Sequence, residues 1–232
     1  MMTAKEIKFV RSLQNRKARL EHGVFVVEGE KMVDEALESG FKVRSVYRKS
    51  EIGEKQMSQI SAMSSPSPAL AVVEIPEFSL PENPFQGLSI ALDSVRDPGN
   101  LGTIIRLADW FGVKAVYATP DTVEAYNPKV IQASMGSVFR VKVIYCPLVE
   151  KIEEFKAGGA EVYGTFLAGE NIYKTSLAKD ALVVLGNESN GVSHSVMQHV
   201  SKRITIPSFG SSAESLNVAV AAAIVISECK RS

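Results

Sequence analysis

Three loops collect the polar residues that could do chemistry, and each follows an apolar stretch. The first loop spans residues 93–106 and reads D-S-V-R-D-P-G-N-L-G-T-I-I-R. Its Asp-Pro-Gly turn predicts a helix that begins near Asn100, which is a typical N-cap residue. Arg106 lies just off the apolar side of that helix, where an unpaired guanidinium would be costly. Arg106 is either a surface arginine whose methylenes cover the helix, or it binds an anionic group such as a phosphate or part of a partner subunit.

A second loop follows the apolar run 183–185 and places one carboxylate, Glu188, between two glycines, Gly186 and Gly191. Glycine permits a positive φ and lets the backbone approach a ligand closely. The same pattern is also typical of a tight loop with a solvated glutamate. The sequence contains neither G-x-G-x-x-G nor G-x-x-x-x-G-K-[ST], so the phosphate-binding glycine motifs of dinucleotide and P-loop proteins are missing.

The third loop follows Ile204-Thr205-Ile206, where Pro207 ends a predicted strand. Ser215 and Asn217 stand at the entrance of a predicted helix over 214–230 that is rich in small residues. Small residues allow a helix to lie close to another backbone. The two polar side chains fit a helix cap as well as a binding site at the helix entrance.

Strands and helices alternate from residue 88 onward, which predicts an α/β fold with a mostly parallel sheet and helices on both faces. The predicted strands are 88–92, 114–118, 139–145, 161–166, 181–185 and 203–206, and the predicted helices are 101–111, 128–135, 147–157, 193–200 and 214–230. Ligands of such sheets bind beyond the carboxyl ends of the strands, in the following loops. We therefore expect the three loops to form one site.

The sequence predicts a separate small α/β domain over residues 1–76. The proline-rich segment 77–87 predicts a linker to the larger domain, residues 88–232. The first 20 residues have a basic surplus, opposed only by Glu6, that consists of Lys5, Lys8, Arg11, Arg16, Lys17 and Arg19. A solvated terminal helix and an arm that contacts nucleic-acid phosphates both fit this charge.

Composition excludes several classes of protein. Lys plus Arg and Asp plus Glu both number 26, which excludes a globally basic, histone-like nucleic-acid binder but not a local basic patch. The two cysteines, Cys146 and Cys229, cannot build a disulfide framework or a zinc knuckle. No apolar run approaches the roughly 20 residues of a membrane span, and residues 1–20 lack the apolar core of a secretory signal. The sequence therefore predicts a cytoplasmic protein that needs no metal.

The three loops, taken in order, closely resemble motifs 1, 2 and 3 of the SpoU family of S-adenosylmethionine-dependent RNA 2′-O-ribose methyltransferases, within the wider SPOUT class. The residues that carry the resemblance are D-P-x-N-x-G-x-x-x-R at 97–106, G-x-E-x-x-G at 186–191, and I-P followed by S-L-N-V-A-V-A-A-A-I within 206–224. The resemblance covers about residues 88–232. Segments 25–30 and 71–76 are also similar to the small substrate-binding domain often fused to this family.

This resemblance implies a C-terminal chain threaded into a trefoil knot that forms the cofactor pocket. It also implies a homodimer with the site near its interface. The implied cofactor is S-adenosyl-L-methionine, bound by Thr165, Leu167, Gly186, Asn187, Gly191, Ile206 and Leu216. The implied catalytic residues are Arg106, Asn100, Glu188, Ser215 and Asn217.

The resemblance also suggests a role for each catalytic residue. Arg106, supplied partly across the dimer, is expected to bind a neighbouring phosphate or help activate the 2′-hydroxyl, with Asn100 positioning it. Glu188 and Ser215 are expected to orient the substrate or support the pocket, and Asn217 to tie the motif loops together. The partner is RNA, either ribosomal or transfer RNA. We expect a basic helix over 5–19, with the small domain, to select it.

Two departures from the family pattern stand out. The loop between Pro207 and Ser215 is one residue longer than the usual form, with Ser208 in place of a common Met, and Leu107 follows the arginine where Thr is frequent. Neither removes a catalytic group. A non-catalytic RNA-binding relative of the same fold is the main alternative, and the retained catalytic residues argue against it. A generic α/β nucleotide-binding enzyme is disfavoured by the missing glycine motifs.

Overall fold

The computed structural model describes residues 1–77, 82–210 and 214–231. Parts of the predicted linker 77–87 and of the loop 208–214 therefore lie outside the described residues. The chain divides into two compact units. The N-terminal unit comprises residues 1–77 and 124–140, and the C-terminal unit comprises 78–123 and 141–232. The sequence predicts a domain over 88–232, and the structure differs from these bounds in that residues 124–140 pack within the N-terminal unit.

The N-terminal unit is built on an antiparallel sheet of three strands in the order β1-β3-β2. The strands are β1 (Val24–Glu28), β2 (Val43–Arg48) and β3 (Ala69–Glu74). The helices are α1 (Ala4–Ser12), α2 (Arg16–His22), α3 (Glu30–Glu38), α4 (Lys49–Ile52) and α5 (Glu54–Ile60). β3 is buried almost throughout, since it lies between the other two strands.

Two helical segments of this unit are each divided into two. The basic helix expected over 5–19 breaks after Ser12, because the Asn15 side chain accepts the Lys17 amide and starts α2 as its N-cap. Gly53, which adopts a φ of 80° that favours glycine, separates α4 from α5.

Residues 124–140 complete the core of the N-terminal unit. They contain α7 (Pro128–Ser134) and a short 3-10 helix, Ser137–Phe139. The Tyr126 ring stacks on Phe25 of β1 at a centroid distance of 4.4 Å. Ile131, Val138 and Phe139 are buried in the same cluster. The strand expected over 139–145 therefore begins only at Val143, because Phe139 turns into this core.

The C-terminal unit contains the predicted parallel sheet, with six strands in the order β6-β5-β4-β8-β7-β9. The strands are β4 (Leu88–Leu92), β5 (Val116–Ala118), β6 (Val143–Tyr145), β7 (Glu161–Asn171), β8 (Ala181–Leu185) and β9 (Lys202–Thr205). The helices are α6 (Pro98–Trp110), α8 (Leu148–Ala157), α9 (His194–Met197) and α10 (Val218–Arg231). This architecture confirms the predicted α/β fold class, and the trefoil knot stays a prediction.

Both faces of the parallel sheet are buried. On one face Tyr117 and Val184 pack with Ile152 and Phe155 of α8. Side chains alternate between the two faces of a strand, so Val183, which is also fully buried, points to the opposite face. A sheet covered in this way leaves the strand ends and their loops as the places where ligands can reach polar groups.

No described helix is long and apolar enough to cross a bilayer. Among the same residues, no group of three or more His, Cys, Asp or Glu is arranged to hold a metal ion. The cytoplasmic location stays a prediction.

Candidate functional site

The loops that follow β4 and β8 and the segment that leads into α10 meet at the carboxyl ends of the strands. β4 and β8 are neighbours in register, with Leu92 opposite Leu185, so their following loops emerge side by side. The Asn100 side-chain amide donates to Glu188 Oε1 at 3.0 Å. Asn217 Nδ2 donates to Asn100 Oδ1 at 2.9 Å. Two hydrogen bonds thus join the three motif segments, as the sequence led us to expect.

The helix after the first loop starts earlier than predicted. Asp97, and not Asn100, is the N-cap of α6: its side chain accepts the Asn100 amide at 2.8 Å, and Pro98 takes the first helical position. The expected capping role of Asn100 is therefore wrong. Asn100 lies in the first turn instead, and its buried side chain is available to bond the other two segments.

Glu188 is held by four hydrogen-bond donors. Its carboxylate accepts the backbone amides of Arg96 at 3.3 Å and Asp97 at 3.0 Å, and the side-chain amides of Asn100 at 3.0 Å and Asn187 at 3.3 Å. Partial burial acts to raise the pKa of Glu188, but the hydrogen bonds from Asn100 and from backbone amides outweigh it and lower the pKa. Glu188 is consequently ionised and fully engaged in fixing the first loop against the second.

Close backbone packing shapes the second loop. Asn187 and Gly191 exchange two backbone hydrogen bonds of 2.9 Å. Gly191 has a φ of 69°, and a Cβ added to Gly186 would lie 2.1 Å from the Gly191 carbonyl carbon. Both positions therefore require glycine. The Asn187 side chain also accepts the amides of Ser189 and Asn190, which closes the loop.

The third segment enters its helix later than predicted. α10 begins at Val218, and the Asn217 side chain accepts the amides of Ala219 at 2.9 Å and Val220 at 3.3 Å, as an N-cap does. The predicted start at residue 214 is wrong because Asn217 supplies the cap. Ser215 is consequently exposed outside the helix, where it lines a cleft.

This cleft has a volume of about 790 Å³, and all seven predicted cofactor-binding residues line it. They are Thr165, Leu167, Gly186, Asn187, Gly191, Ile206 and Leu216. The Thr165 hydroxyl donates to the Val184 carbonyl at 3.0 Å and so faces β8. Leu167 is 80% exposed and Phe209, which also lines the cleft, is 91% exposed. Apolar walls beside polar loop backbone, in a volume of this size, suit a small organic ligand with an aromatic part.

Arg106 lies outside this cleft. It is exposed on α6, in a groove of about 730 Å³ whose other lining residues include Trp110 and, on α10, Ile224. No hydrogen bond or ion pair of Arg106 is present within the described parts of the chain. Of the five predicted catalytic residues, Asn100, Glu188 and Asn217 are bonded together and Ser215 lines the same cleft. Arg106 does not join them within one chain.

The predicted basic arm is exposed except at one position. Lys5, Lys8 and Arg11 on α1 and Arg16 and Lys17 on α2 are all exposed.

Arg19 is only 2% exposed. Its guanidinium donates to the Leu13 and Gln14 carbonyls and to both carboxylate oxygens of Glu124, the closer at 2.7 Å. The expectation that Arg19 contacts RNA is therefore wrong, because its guanidinium is buried and hydrogen-bonded inside the N-terminal unit.

The sequence analysis assigns no role to Asp93 and Ser94, the residues that begin the first loop. Asp93 is buried at the end of β4, and its carboxylate accepts the Ser193 amide at 2.7 Å. The next residue, Ser94, has a φ of 61°. Their position directly after a buried strand could have identified them from the sequence, because polar residues there lie at the ligand-binding edge of a parallel sheet.

Two protein families match segments of this chain. The SpoU rRNA Methylase family matches residues 87–227, and the MRM3-like substrate binding domain matches residues 4–80. Together they cover both the motif-bearing region and the basic N-terminal region.

Individual relatives agree with these matches. The chain is 33% identical over 237 residues to the 23S rRNA (guanosine(2553)-2′-O)-methyltransferase RlmP of Bacillus subtilis (strain 168), which covers 95% of this chain and 94% of that protein. A putative RNA methyltransferase of the TrmH family from Porphyromonas gingivalis has a solved structure that superposes with a TM-score of 0.90 at 38% identity, covering 100% and 99% of the two chains. The SpoU methyltransferase AviRb from Streptomyces viridochromogenes, solved in complex with AdoMet, superposes with a TM-score of 0.87 at 26% identity, covering 99% and 98%.

The family match spans most of the chain and contains all three motif segments, which the structure joins through Asn217, Asn100 and Glu188. With a relative above 30% identity that is aligned over nearly the whole chain, these findings establish that the chain belongs to the SpoU rRNA methylase family.

Proposed function

We propose that this protein transfers a methyl group from S-adenosyl-L-methionine to a ribose 2′-hydroxyl of RNA. The observation that carries the proposal is the cleft lined by Thr165, Leu167, Gly186 and Leu216, with the bonded Asn217–Asn100–Glu188 chain beside it. A similar structure, that of AviRb, was solved with AdoMet, and the relatives are named as RNA 2′-O-methyltransferases. Both facts support the proposal.

Ribosomal RNA is the substrate that the comparisons favour. The 23S rRNA methyltransferases of Bacillus subtilis and Streptomyces viridochromogenes align with 95% and 94% of this chain. The tRNA (guanosine(18)-2′-O)-methyltransferase of Aquifex aeolicus aligns with 62% of it. Alignment over nearly the whole chain includes the N-terminal unit, so we propose a large-subunit ribosomal RNA rather than a transfer RNA.

S-adenosyl-L-methionine supplies a methyl group on a positively charged sulfur, and the neutral thioether leaves without needing a proton. The protein must hold the donor, place the 2′-oxygen in line with the methyl carbon, and favour loss of the hydroxyl proton, which passes to solvent water. Glu188 does not suit the role of general base, because four donors already occupy its carboxylate. We assign Glu188, Asn100 and Asn217 to positioning of the loops around the donor.

Ser215 and Arg106 are the catalytic residues whose polar groups are free to contact substrate. The exposed Ser215 hydroxyl lines the cleft and can orient the donor or the ribose. A guanidinium cannot accept a proton at neutral pH, so Arg106 acts as a cation. It is proposed to bind the phosphate next to the target ribose, where its charge also favours ionisation of the 2′-hydroxyl.

The position of Arg106 supports a homodimer. Six residues separate it from Asn100, which is about 9 Å along a helix, and it faces the α6–α10 groove rather than the cleft. Trp110 in the same groove is 85% exposed, as expected of a surface that a partner covers. We propose that two copies associate through this groove and that each Arg106 serves the cleft of the other copy.

The exposed cations of α1 and α2 are proposed to contact the RNA backbone. Lys5, Lys8, Arg11, Arg16 and Lys17 lie within 13 residues of sequence on two successive helices. Phosphate contacts of this kind position an RNA without reading its sequence. The match to a substrate-binding domain over residues 4–80 supports this assignment.

A methylation assay tests the proposed function. Ribosomal RNA from a strain that lacks the gene is incubated with labelled S-adenosyl-L-methionine, and the product is mapped for 2′-O-methyl nucleotides. We expect one ribose to be methylated by the wild type. Arg106→Ala is expected to lose at least about 100-fold in rate, which corresponds to about 2.7 kcal/mol of transition-state stabilisation, while donor affinity, measured by calorimetry, stays unchanged. Lys179→Ala removes an exposed cation elsewhere on the same unit and should behave as the wild type.

Several outcomes would contradict the proposed function or the role of Arg106 in it. A wild type that binds both donor and RNA but transfers no methyl group would favour the non-catalytic alternative. A methyl group found on a base rather than a ribose would refute the 2′-hydroxyl as acceptor. Full activity of Arg106→Ala would remove Arg106 from the mechanism.

A further inference from the structure

Ser94 adopts a backbone conformation that serine rarely takes. Its φ is 61°, and among the described residues only one other non-glycine residue, Met135, has a positive φ. Residues other than glycine are destabilised in such a conformation, and they keep it only where the surroundings enforce it. Ser94 is the second residue after β4 and opens the first motif loop.

Hydrogen bonds at three atoms of Ser94 hold the residue in place, and its hydroxyl also makes a long contact of 3.5 Å to Asp93 Oδ1. Its amide donates to Thr119 Oγ1 at 2.9 Å, and its hydroxyl donates to Asp121 Oδ2 at 2.7 Å. Its carbonyl accepts Asn187 Nδ2 at 2.7 Å. Thr119 and Asp121 follow β5 and Asn187 follows β8, so Ser94 connects the loops of three adjacent strands.

The bond from the Ser94 hydroxyl to Asp121 has a fixed direction. Hydrogen bonds from Thr119 and then Ser94 lower the pKa of the Asp121 carboxyl, so it is an acceptor at neutral pH. The hydroxyl is therefore the donor, and this charge-assisted bond opposes the backbone strain at Ser94.

The Ser94 carbonyl determines where Asn187 lies. Asn187 Nδ2 is shared between that carbonyl and Glu188 Oε2, and Asn187 Oδ1 caps the amides of Ser189 and Asn190. Asn187 also lines the cleft. A change in φ at Ser94 would rotate its carbonyl away from Asn187 and loosen the loop that borders the cleft.

We propose that Ser94 is a positioning residue for the methyl-donor cleft: its left-handed turn, fixed by Thr119 and Asp121, aims a carbonyl at Asn187 and so holds the second motif loop against the donor. The role rests on the proposed function, because the donor is S-adenosyl-L-methionine. Ser94 itself does not line the cleft and acts through Asn187.

Three substitutions separate the turn from the hydroxyl, and the affinity for S-adenosyl-L-methionine is measured by calorimetry for each. Ser94→Gly loses the hydroxyl bond but takes the left-handed turn without strain, so its Kd should stay within about twofold of the wild type. Ser94→Ala keeps the strain without the compensating bond, and its Kd should rise about five- to tenfold. Ser94→Val cannot adopt the turn and should bind at least about 50-fold more weakly.

Met135 provides the matched control, since it is the other strained residue and lies in the N-terminal unit. Met135→Gly and Met135→Ala should shift the melting temperature but leave the donor Kd unchanged. The KM for RNA, measured at saturating donor, should stay within about twofold of the wild type in Ser94→Ala, because the proposed phosphate-binding cations are elsewhere.

The outcomes are distinguishable. If the wild type binds the donor and folded Ser94→Ala binds it equally well, the role of Ser94 is refuted while the proposed function stands. An equal loss of affinity in Ser94→Gly and Ser94→Ala would also refute it, because the turn would not be the determinant. A wild type that does not bind S-adenosyl-L-methionine would overturn the proposed function and this role with it.

Discussion

Glu188 is the carboxylate at the centre of the joined loops, and Arg96, Asp97, Asn100 and Asn187 all donate to it. A glutamate between two glycines is as typical of a solvated loop as of a catalytic acid, and most of the neighbours that decide between these roles lie 88 to 92 residues earlier in the chain. The hydrogen bonds make Glu188 a connector between the first two motif loops. A predicted catalytic side chain can take part in the reaction only if its polar atoms are not already occupied by hydrogen bonds within the protein.

Replacing Glu188 with glutamine tests this role. Glu188→Gln keeps one acceptor oxygen but turns an amino group toward two of the four donors, so the loops should separate. Leaving a hydrogen-bond donor such as the buried Asn100 amide unsatisfied costs about 1–3 kcal/mol, which corresponds to roughly a 5- to 150-fold rise in the Kd for S-adenosyl-L-methionine. Calorimetry with S-adenosyl-L-methionine measures this change. An unchanged Kd would contradict the connecting role.

The pH dependence follows from the lowered pKa of Glu188. A carboxyl whose folded pKa lies below its unfolded value of about 4.3 contributes stability that is fully present above that value. The contribution is lost only as the pH falls through the lower, folded pKa. The donor affinity of the wild type should therefore not titrate through Glu188 between about pH 5 and pH 8. A transition near neutral pH that disappears in Glu188→Gln would instead identify Glu188 as a base.

At the scale of helices and strands, the N-cap residues determine where the two helices at the site begin, and these starts differ from the predicted ones. α6 starts at Pro98 rather than at residue 101 because Asp97 caps it, and α10 starts later than predicted because Asn217 does. Both shifts place an asparagine at a helix entrance with its side chain directed at a neighbouring loop. In the N-terminal unit, the cap at Asn15 divides the basic arm into two helices.

The basic arm makes a prediction about RNA affinity. Changing Lys5, Lys8 and Arg11 together to glutamine removes three exposed cations from α1 without touching its buried side. RNA affinity should fall at least about tenfold, and the slope of log K against log salt should become shallower by about one for each phosphate that the arm no longer binds. Filter binding over a range of salt concentrations measures both quantities. Donor affinity should not change.

Lys31→Gln with Lys55→Gln is the control for the arm, because both residues are exposed cations of the same unit outside it. The control pair should keep the RNA affinity of the wild type. If the control and the arm variant lose affinity equally, the arm has no specific role and the effect is one of overall charge.

On the scale of the whole molecule, the chain passes between the two units three times, after residues 77, 123 and 140. Residues 124–140 contribute Ile131, Val138 and Phe139 to the core of the N-terminal unit. Deleting residues 1–76 would strip these apolar side chains of their partners and leave Arg19's partner, Glu124, alone. Substitutions on the surface of α1 are therefore a cleaner probe of RNA binding than truncation.

Mixing Arg106→Ala with Asn217→Ala, each expected to be inactive alone, tests whether Arg106 acts across a dimer. Arg106→Ala keeps an intact cleft, and Asn217→Ala keeps Arg106 but breaks the bond to Asn100. If Arg106 serves the other copy, a heterodimer of the two variants contains one complete site, and about a quarter of the wild-type methylation should return in an equal mixture. This fraction assumes random exchange of subunits, with half of the molecules forming heterodimers.

If Arg106 acts on its own cleft, the mixture stays as inactive as either variant alone. Sedimentation of each variant before mixing confirms that both still form dimers. Trp110→Glu places a charge in the α6–α10 groove and should convert the protein to monomers. A Trp110→Glu protein that stays dimeric would show that the copies associate elsewhere.

The fold class and the loops that form the site could be predicted from the sequence, because the patterns that indicate them lie within short stretches of chain. The alternation of strands and helices predicts the parallel sheet with the three loops at one edge, and the resemblance of those loops to the SpoU motifs implies the residues that line the cleft. Tertiary structure decided which partner each polar side chain meets. Asn217 meets Asn100 across 117 residues, and Arg19 meets Glu124 across 105. Such pairings depend on the packing of distant segments, which also set the turn at Ser94 and left Arg106 outside the cleft of its own chain.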